Sequence, residues 1–225
     1  MLQLVEGAKQ ARGLTVIIDV FRAFSMACYV YANGAEKIIP VGKLETAYSL
    51  KKENPEFLLI GERDGKRPEG FDYGNSPTDI ENVDFSNKTI VQTTGAGTQG
   101  IVNVKNADEI ITGGFVNAKA VINYIKKKNP RIVSLVAMGS GGVIIADEDE
   151  LCAEYIKIAL EGKENDFKKI VEHLRGYISA KKFFDPEKDW APERDFELCL
   201  NLNKFDFVLK VEPYKNGLVF FKKIE

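Results

Sequence analysis

The 225-residue chain has 44% hydrophobic and 28% charged side chains, enough for one large or two small globular domains with a sizeable core. Its formal net charge of -2 argues against a general affinity for nucleic acid, and no run nears the roughly 18 apolar residues that cross a bilayer. The opening MLQLVEGAKQARG has no apolar centre of signal-peptide type, so a cytoplasmic protein is expected.

The β-branched run Thr15–Val20 predicts a strand buried on both faces. A helix is expected over Ala23–Ala32, stopped by Asn33-Gly34. Lys37–Val41 reads as a second strand, Leu44–Glu53 as a helix ending before Pro55, and Glu56–Gly61 as a third strand. This β-α-β-α-β order favours a parallel sheet with right-handed crossovers. It delivers the chain into GERDGKRPEGFDYGNSP at 61–77, with seven charged residues and four glycines, where Phe71 and Tyr73 are expected to anchor the return.

Thr89–Thr94 is the next expected strand, followed by the glycine-rich GAGTQG and a helix. A short strand at Glu109–Thr112, a helix at Val116–Lys128 and a strand at Arg131–Met138 lead into GSGG at 139–142. DEDELCAEYIKIALEG reads as a helix with an acidic first turn, as the helix dipole favours. Helical stretches over 166–184 and 193–203 precede a hairpin turned at Lys215-Asn216-Gly217. The break near the charged loop and the turn at 81–87 predicts two α/β lobes with mainly parallel sheets. One would span residues 1–84, with the hairpin at 205–225 able to complete it, and the other 85–204.

Three cysteines, Cys28, Cys152 and Cys199, are far apart and read as small buried hydrophobes. The single histidine, His173, rules out a multi-histidine zinc site and is expected in a solvated or packing role. Ligands of parallel α/β sheets bind outside the carboxyl ends of the strands. Four such ends are polar here: Asp19–Arg22, Gly61–Arg63, Thr93–Thr98 and Gly139–Gly142. Asp19 reads either as a functional acid or as a structural partner of Arg22. TTGAGTQG offers hydroxyls, glycines and a helix start suited to an anion, or else only a tight turn, and it matches neither nucleotide-binding glycine motif. With Glu62, Arg63, Lys66, Arg67 and Asp72 from the loop, these ends suggest phosphate held together with Mg2+. Asp147-Glu148-Asp149-Glu150-Leu151 nearly matches the D-x-D-x-[TV] of haloacid-dehalogenase phosphatases, which would make Asp147 a nucleophile. Alternatively these acids cap a helix or give one or two oxygens to a hard cation.

IIDVFRA at 17–23, ANGAEKIIPV at 32–41, GERDGKRPEGFDYGNSP at 61–77, TTGAGTQG at 93–100 and EDELCAEYI at 148–156 occur in that order. Together they resemble the 2-phosphosulfolactate phosphatase family, Mg2+-dependent acid phosphatases of coenzyme M biosynthesis, well over residues 13–160 and weakly beyond. The resemblance implies hydrolysis of 2-phosphosulfolactate to sulfolactate and phosphate, in a cleft between two α/β lobes. Its polar motif positions fall on Asp19, Arg22, Glu62, Arg63, Asp72, Asn75, Ser76, Thr93, Thr94, Thr98, Glu148 and Asp149. Two departures stand out: Phe24-Ser25 where the family has Thr-Thr, and Gly95-Ala96-Gly97-Thr98 where it has an Asn-Gly-Thr turn.

The expected catalytic set is therefore Asp19, Glu148 and Asp149, and the expected metal ligands are Asp19, Glu62 and Asp149 around Mg2+. Arg22, Arg63, Asp72, Asn75, Ser76, Thr93, Thr94, Gly95 and Thr98 are expected to bind substrate. The partner expected is a small anionic phosphoester, with no nucleic acid and no membrane, and a homo-oligomer is left open. A module that binds an anionic metabolite without turnover is the competing expectation.

Overall fold

The computed structural model describes residues 1–225. In chain order it has β1 (Leu2–Gln3), α1 (Leu4–Gln10), β2 (Arg12–Ile18), α2 (Ala23–Ala32), β3 (Lys37–Pro40), α3 (Leu44–Glu53) and β4 (Leu58–Gly61). Beyond the charged loop come β5 (Thr89–Thr93), α4 (Gly97–Asn103), β6 (Asn106–Gly113), α5 (Ala118–Lys128), β7 (Val133–Ala137) and α6 (Asp147–Leu160). The chain closes with α7 (Phe167–Gly176), a 3-10 turn at Ile178–Phe184, α8 (Glu193–Cys199), β8 (Val208–Pro213) and β9 (Val219–Ile224).

All nine strands form one sheet in the order β1-β7-β2-β6-β8-β9-β3-β5-β4. The first four are parallel to one another, as are the last three, and the β8–β9 hairpin lies between these blocks with antiparallel pairings on both sides. The division expected at residue 84 does not coincide with a division of the sheet. β2 lies between β6 and β7, while β5 lies between β3 and β4, so each block draws strands from both sides of that boundary. The hairpin at 205–225 touches both blocks, through Ile111–Lys210 on one side and Ile38–Phe221 on the other.

The expectation of a strand buried on both faces holds for β2, whose residues beyond Arg12 are all buried. Alternation sends Ile17 to one face, packed with α2, and Leu14, Val16 and Ile18 to the other, packed with residues of α5, α6 and α8. Helix α2 is buried from Ala23 to Tyr31 and so lacks a polar face. The helical run expected over 166–184 breaks at Tyr177, whose extended backbone turns the chain into the 3-10 segment. The run expected over 193–203 stops at Cys199, and Asn203 adopts a left-handed conformation. The short β1 and α1 were not expected; β1 is two residues long and carries no periodic signal.

Across the three antiparallel steps from β6 to β3 the two blocks run in opposite senses. A right-handed twist of roughly 20–25° per strand accumulates along such a sheet and curls it. The carboxyl ends of β2 and β5 consequently meet: a Cβ placed on Gly97, just beyond β5, would lie 2.9 Å from Asp19 Oδ2, just beyond β2.

Candidate active site

Asp19 leaves β2 directly before α2 and is 5% exposed. Its Oδ1 accepts the Ala23 N–H at 3.0 Å, inside the first turn of α2, while Oδ2 faces Gly97. A side chain at Gly97 would also lie 2.7 Å from Ala23 Cβ, so glycine there permits the approach of the two strand ends. Burial pushes the Asp19 carboxyl up to about 7; the Ala23 N–H opposes this, while the charges of Glu62 and Glu148 add to it.

Glu62 arrives at the same place from β4. Arg63 and Lys66 exchange both backbone hydrogen bonds at 3.0 Å around Asp64-Gly65, whose φ values of 53° and 81° make a two-residue hairpin turn. Gly65 has no room for a side chain, since a Cβ would lie 2.5 Å from the Trp190 ring. The turn closes on Glu62, which accepts Gly65 N–H on Oε2 at 2.8 Å and Gly95 N–H on Oε1 at 2.6 Å. Arg63 ties the β3, β4 and β5 ends together, donating to the Glu62 and Gly42 carbonyls and, at 2.7 Å, to Thr93 Oγ1.

The start of α6 supplies the remaining acids. Asp149 accepts Val20 N–H at 2.7 Å on Oδ1 and Gly139 N–H at 2.8 Å on Oδ2, joining α6 to the ends of β2 and β7. Burial, with Asp19 and Glu148 nearby, holds its carboxyl well above the usual carboxylate range. Glu148, 4% exposed, accepts Ser179 Oγ–H at 2.5 Å and is likewise raised by burial. Asp147, by contrast, is the first residue of α6 and pairs with His173 Nε2 at 2.7 Å. It does not end a strand, so the haloacid-dehalogenase geometry is absent.

Arg22 is buried, and its partner is Asp195 of α8, at 2.5 Å from Nη1, which also donates to the Trp190 carbonyl at 2.8 Å. The guanidinium lies over the rings of Phe183 and Trp190, at 5.9 and 5.6 Å. Asp195 is fully buried and accepts in addition from Ser76 Oγ, Thr78 N and Thr78 Oγ1, at 2.9, 2.9 and 2.7 Å. Sequence reading missed Asp195, Ser179, Lys182 and Trp190, all in the last third, where no strand end or motif marks them. The signal that was present is chemical: a buried Arg22 requires a carboxylate partner from somewhere in the chain.

Several expected ligand groups are used within the protein. The Thr94 and Thr98 hydroxyls bond to each other's backbone, and Gly95 N–H is held by Glu62, so much of the TTGAGTQG turn is self-satisfied. Asp72 lies away from the strand-end cluster, accepting Leu59 N–H at 2.7 Å, while Phe71 and Tyr73 anchor the loop against Tyr48 and Phe85. Asn75 is buried, with its Oδ1 unpartnered. Phe24 is buried, packs edge-on against Phe221 at 6.0 Å, and brings its ring edge to Gly97, which Asp19 Oδ2 also faces. All three cysteines are buried and unpaired.

No three acids, cysteines or histidines form a ready-made metal cage. The donor set still suits a hard cation that keeps most of its water, which needs only one or two carboxylates. Asp19, driven up to about 7 by burial, with Glu62 and Glu148 adding to it, is an acid whose ionised form has the charge of Lys182 near it but no ion pair within 4.0 Å.

The family described as 2-phosphosulpholactate phosphatase matches residues 2–213. A protein of Bacillus subtilis (strain 168) is 33% identical over 202 residues, covering 88% of this chain and 87% of its own length. One from Thermotoga petrophila is 40% identical over 226 residues, covering 92% of each. A third, from Thermoplasma volcanium, is 31% identical over 210 residues, covering 92% of this chain and 94% of its own. Each of the three bears the name "Probable 2-phosphosulfolactate phosphatase".

Proposed function

The chain belongs to the 2-phosphosulpholactate phosphatase family, and from that premise we propose that it hydrolyses 2-phosphosulfolactate, or a closely similar small anionic phosphoester, with Mg2+. It is a phosphoric monoester hydrolase. The observation that carries the substrate reading is the approach of Asp19 and Glu62, delivered from opposite blocks of the sheet to the neighbouring Gly97 and Gly95.

Asp19 and Glu62 would hold the cation, and Asp149 would fix Asp19 through the Val20 backbone. Bound Mg2+ supplies charge neutralisation at the phosphoryl oxygens. Arg22, held at Nη1 by Asp195 and Trp190, keeps its other nitrogens for those oxygens. Glu148, kept protonated to higher pH by burial and fixed by Ser179, is assigned to give its proton to the leaving alcohol oxygen as water adds to phosphorus and the ester P–O bond breaks.

The purified protein should release phosphate from 2-phosphosulfolactate in the presence of Mg2+ and stop on addition of EDTA. Binding of sulfolactate without turnover of any small phosphoester would overturn the catalytic reading. Activity unchanged by EDTA would overturn its metal component.

A further inference from the structure

Of the cations carried by these elements, Arg22 and Arg63 each have partners within the protein. Arg22 is paired with Asp195, and both terminal nitrogens of Arg63 donate to oxygens of the protein. Lys182 is different. It stands in the Ile178–Phe184 turn, next to the buried Phe183 and three residues after Ser179, which fixes Glu148. Its Nζ lies over the Phe183 and Phe21 rings at 5.1 and 5.9 Å, and its hydrogen bond is a long one, 3.4 Å, to the Phe21 carbonyl. Asp19 and Glu148 both act on its charge, yet neither lies within 4.0 Å to form an ion pair.

A half-buried ammonium without a carboxylate partner is costly to hold unless something anionic arrives to meet it. The charges of Lys182 and Glu148 both reach Asp19, whose Oδ2 faces Gly97, while Glu62 accepts the N–H of the neighbouring Gly95. A phosphoryl group met by Arg22, and by a cation held on Asp19 and Glu62, would leave Lys182 for the rest of the substrate. We propose that Lys182 recognises a second, non-phosphate anionic group, a carboxylate or sulfonate, and so selects phosphoesters that carry one. This rests on the phosphatase reading above and adds to it the residue that sets substrate class.

The sole tryptophan, Trp190, lies against Arg22 and Gly65 and supplies a binding signal that needs no turnover. Lys182→Met keeps the apolar stem and removes the charge; Lys182→Arg keeps the charge. In Lys182→Met, the KM for 2-phosphosulfolactate and the Kd for sulfolactate should both rise about tenfold or more, with kcat within about threefold of wild type. With phenyl phosphate, which lacks a second anion, kcat/KM should stay within about threefold, and Lys182→Arg should recover most of the loss. A kcat that falls equally on both substrates with KM unchanged would place Lys182 on the phosphoryl group and overturn the proposal. Sulfolactate binding equal in Lys182→Met and wild type would also overturn it, whether or not the enzyme turns over. If wild type turns over no phosphoester, the phosphatase reading fails separately; loss of sulfolactate binding in Lys182→Met would still uphold the recognition role. Should Lys182→Met fail to fold by circular dichroism, Lys182→Gln takes its place with the same expected values.

Discussion

Asp19 is held where its ionised form is disfavoured, and that sets a pH dependence with a definite sign. Its pKa rises on folding from 3.8 to about 7, so between those values the native protein binds more protons than the unfolded chain. Stability of the metal-free protein is therefore highest at low pH in this window and is lost as pH climbs through it. At about 1.4 kcal/mol per pH unit of elevation, the loss approaches 4 kcal/mol by pH 8. Thermal melts in EDTA should show Asp19→Asn more stable than wild type at pH 8 and nearly equal to it at pH 4, with phosphatase activity abolished. Added Mg2+ should raise the melting temperature of wild type at pH 8 and leave Asp19→Asn unmoved; a shift in both would place the cation elsewhere. Asp19, Glu62 and Arg63 stand out in the sequence because they follow apolar strands, and Arg22 because it comes three residues after Asp19. Asp195, the partner of Arg22, and Lys182 do not, because they lie in helical segments whose local pattern reads only as surface or packing.

At the scale of elements, α8 acts as a clamp. One carboxylate on it joins Arg22 at the end of β2 to Ser76 and Thr78 at the end of the charged loop. Removing it by Asp195→Ala leaves Arg22 buried without a partner, at a cost of about 3–5 kcal/mol. The melting temperature should fall by roughly 6–20 °C for a protein of this length, and phosphatase activity with it. A fall of under about 2 °C would mean that water or another acid takes over the guanidinium. The elements themselves were largely legible. Apolar runs located β2 through β7, and the Lys215-Asn216-Gly217 turn located the hairpin. The order of strands was not legible, because residue patterns encode which faces are buried and not which distant strand lies alongside. The 61–77 loop shows the same limit: Asp64-Gly65 is a hairpin signal within it, but only the folded chain places Trp190 against that turn.

Across the whole molecule, the β8–β9 hairpin joins two parallel blocks that otherwise share no strand pairing. Each seam has one registered pair, reinforced by Lys210, which bridges Glu109 and Glu212 at 3.1 and 2.7 Å, and by the Tyr31 hydroxyl, which donates to the Phe221 carbonyl. Removing residues 205–225 would uncover the inner edges of β6 and β3 together with the core around Phe24. The shortened chain should lose its cooperative urea transition, followed by Trp190 fluorescence, and should aggregate. A single sharp transition at the wild-type midpoint would show that the blocks hold together without the hairpin. The proposed active site depends on the same seam, since Asp19 and Glu62 stand on opposite blocks. During synthesis on the ribosome, the two strands at the centre of the sheet are the last of the nine to emerge. Until they do, the nascent chain carries every acid of the proposed site and has no seam to bring Asp19 and Glu62 together, so that site would assemble in one late step.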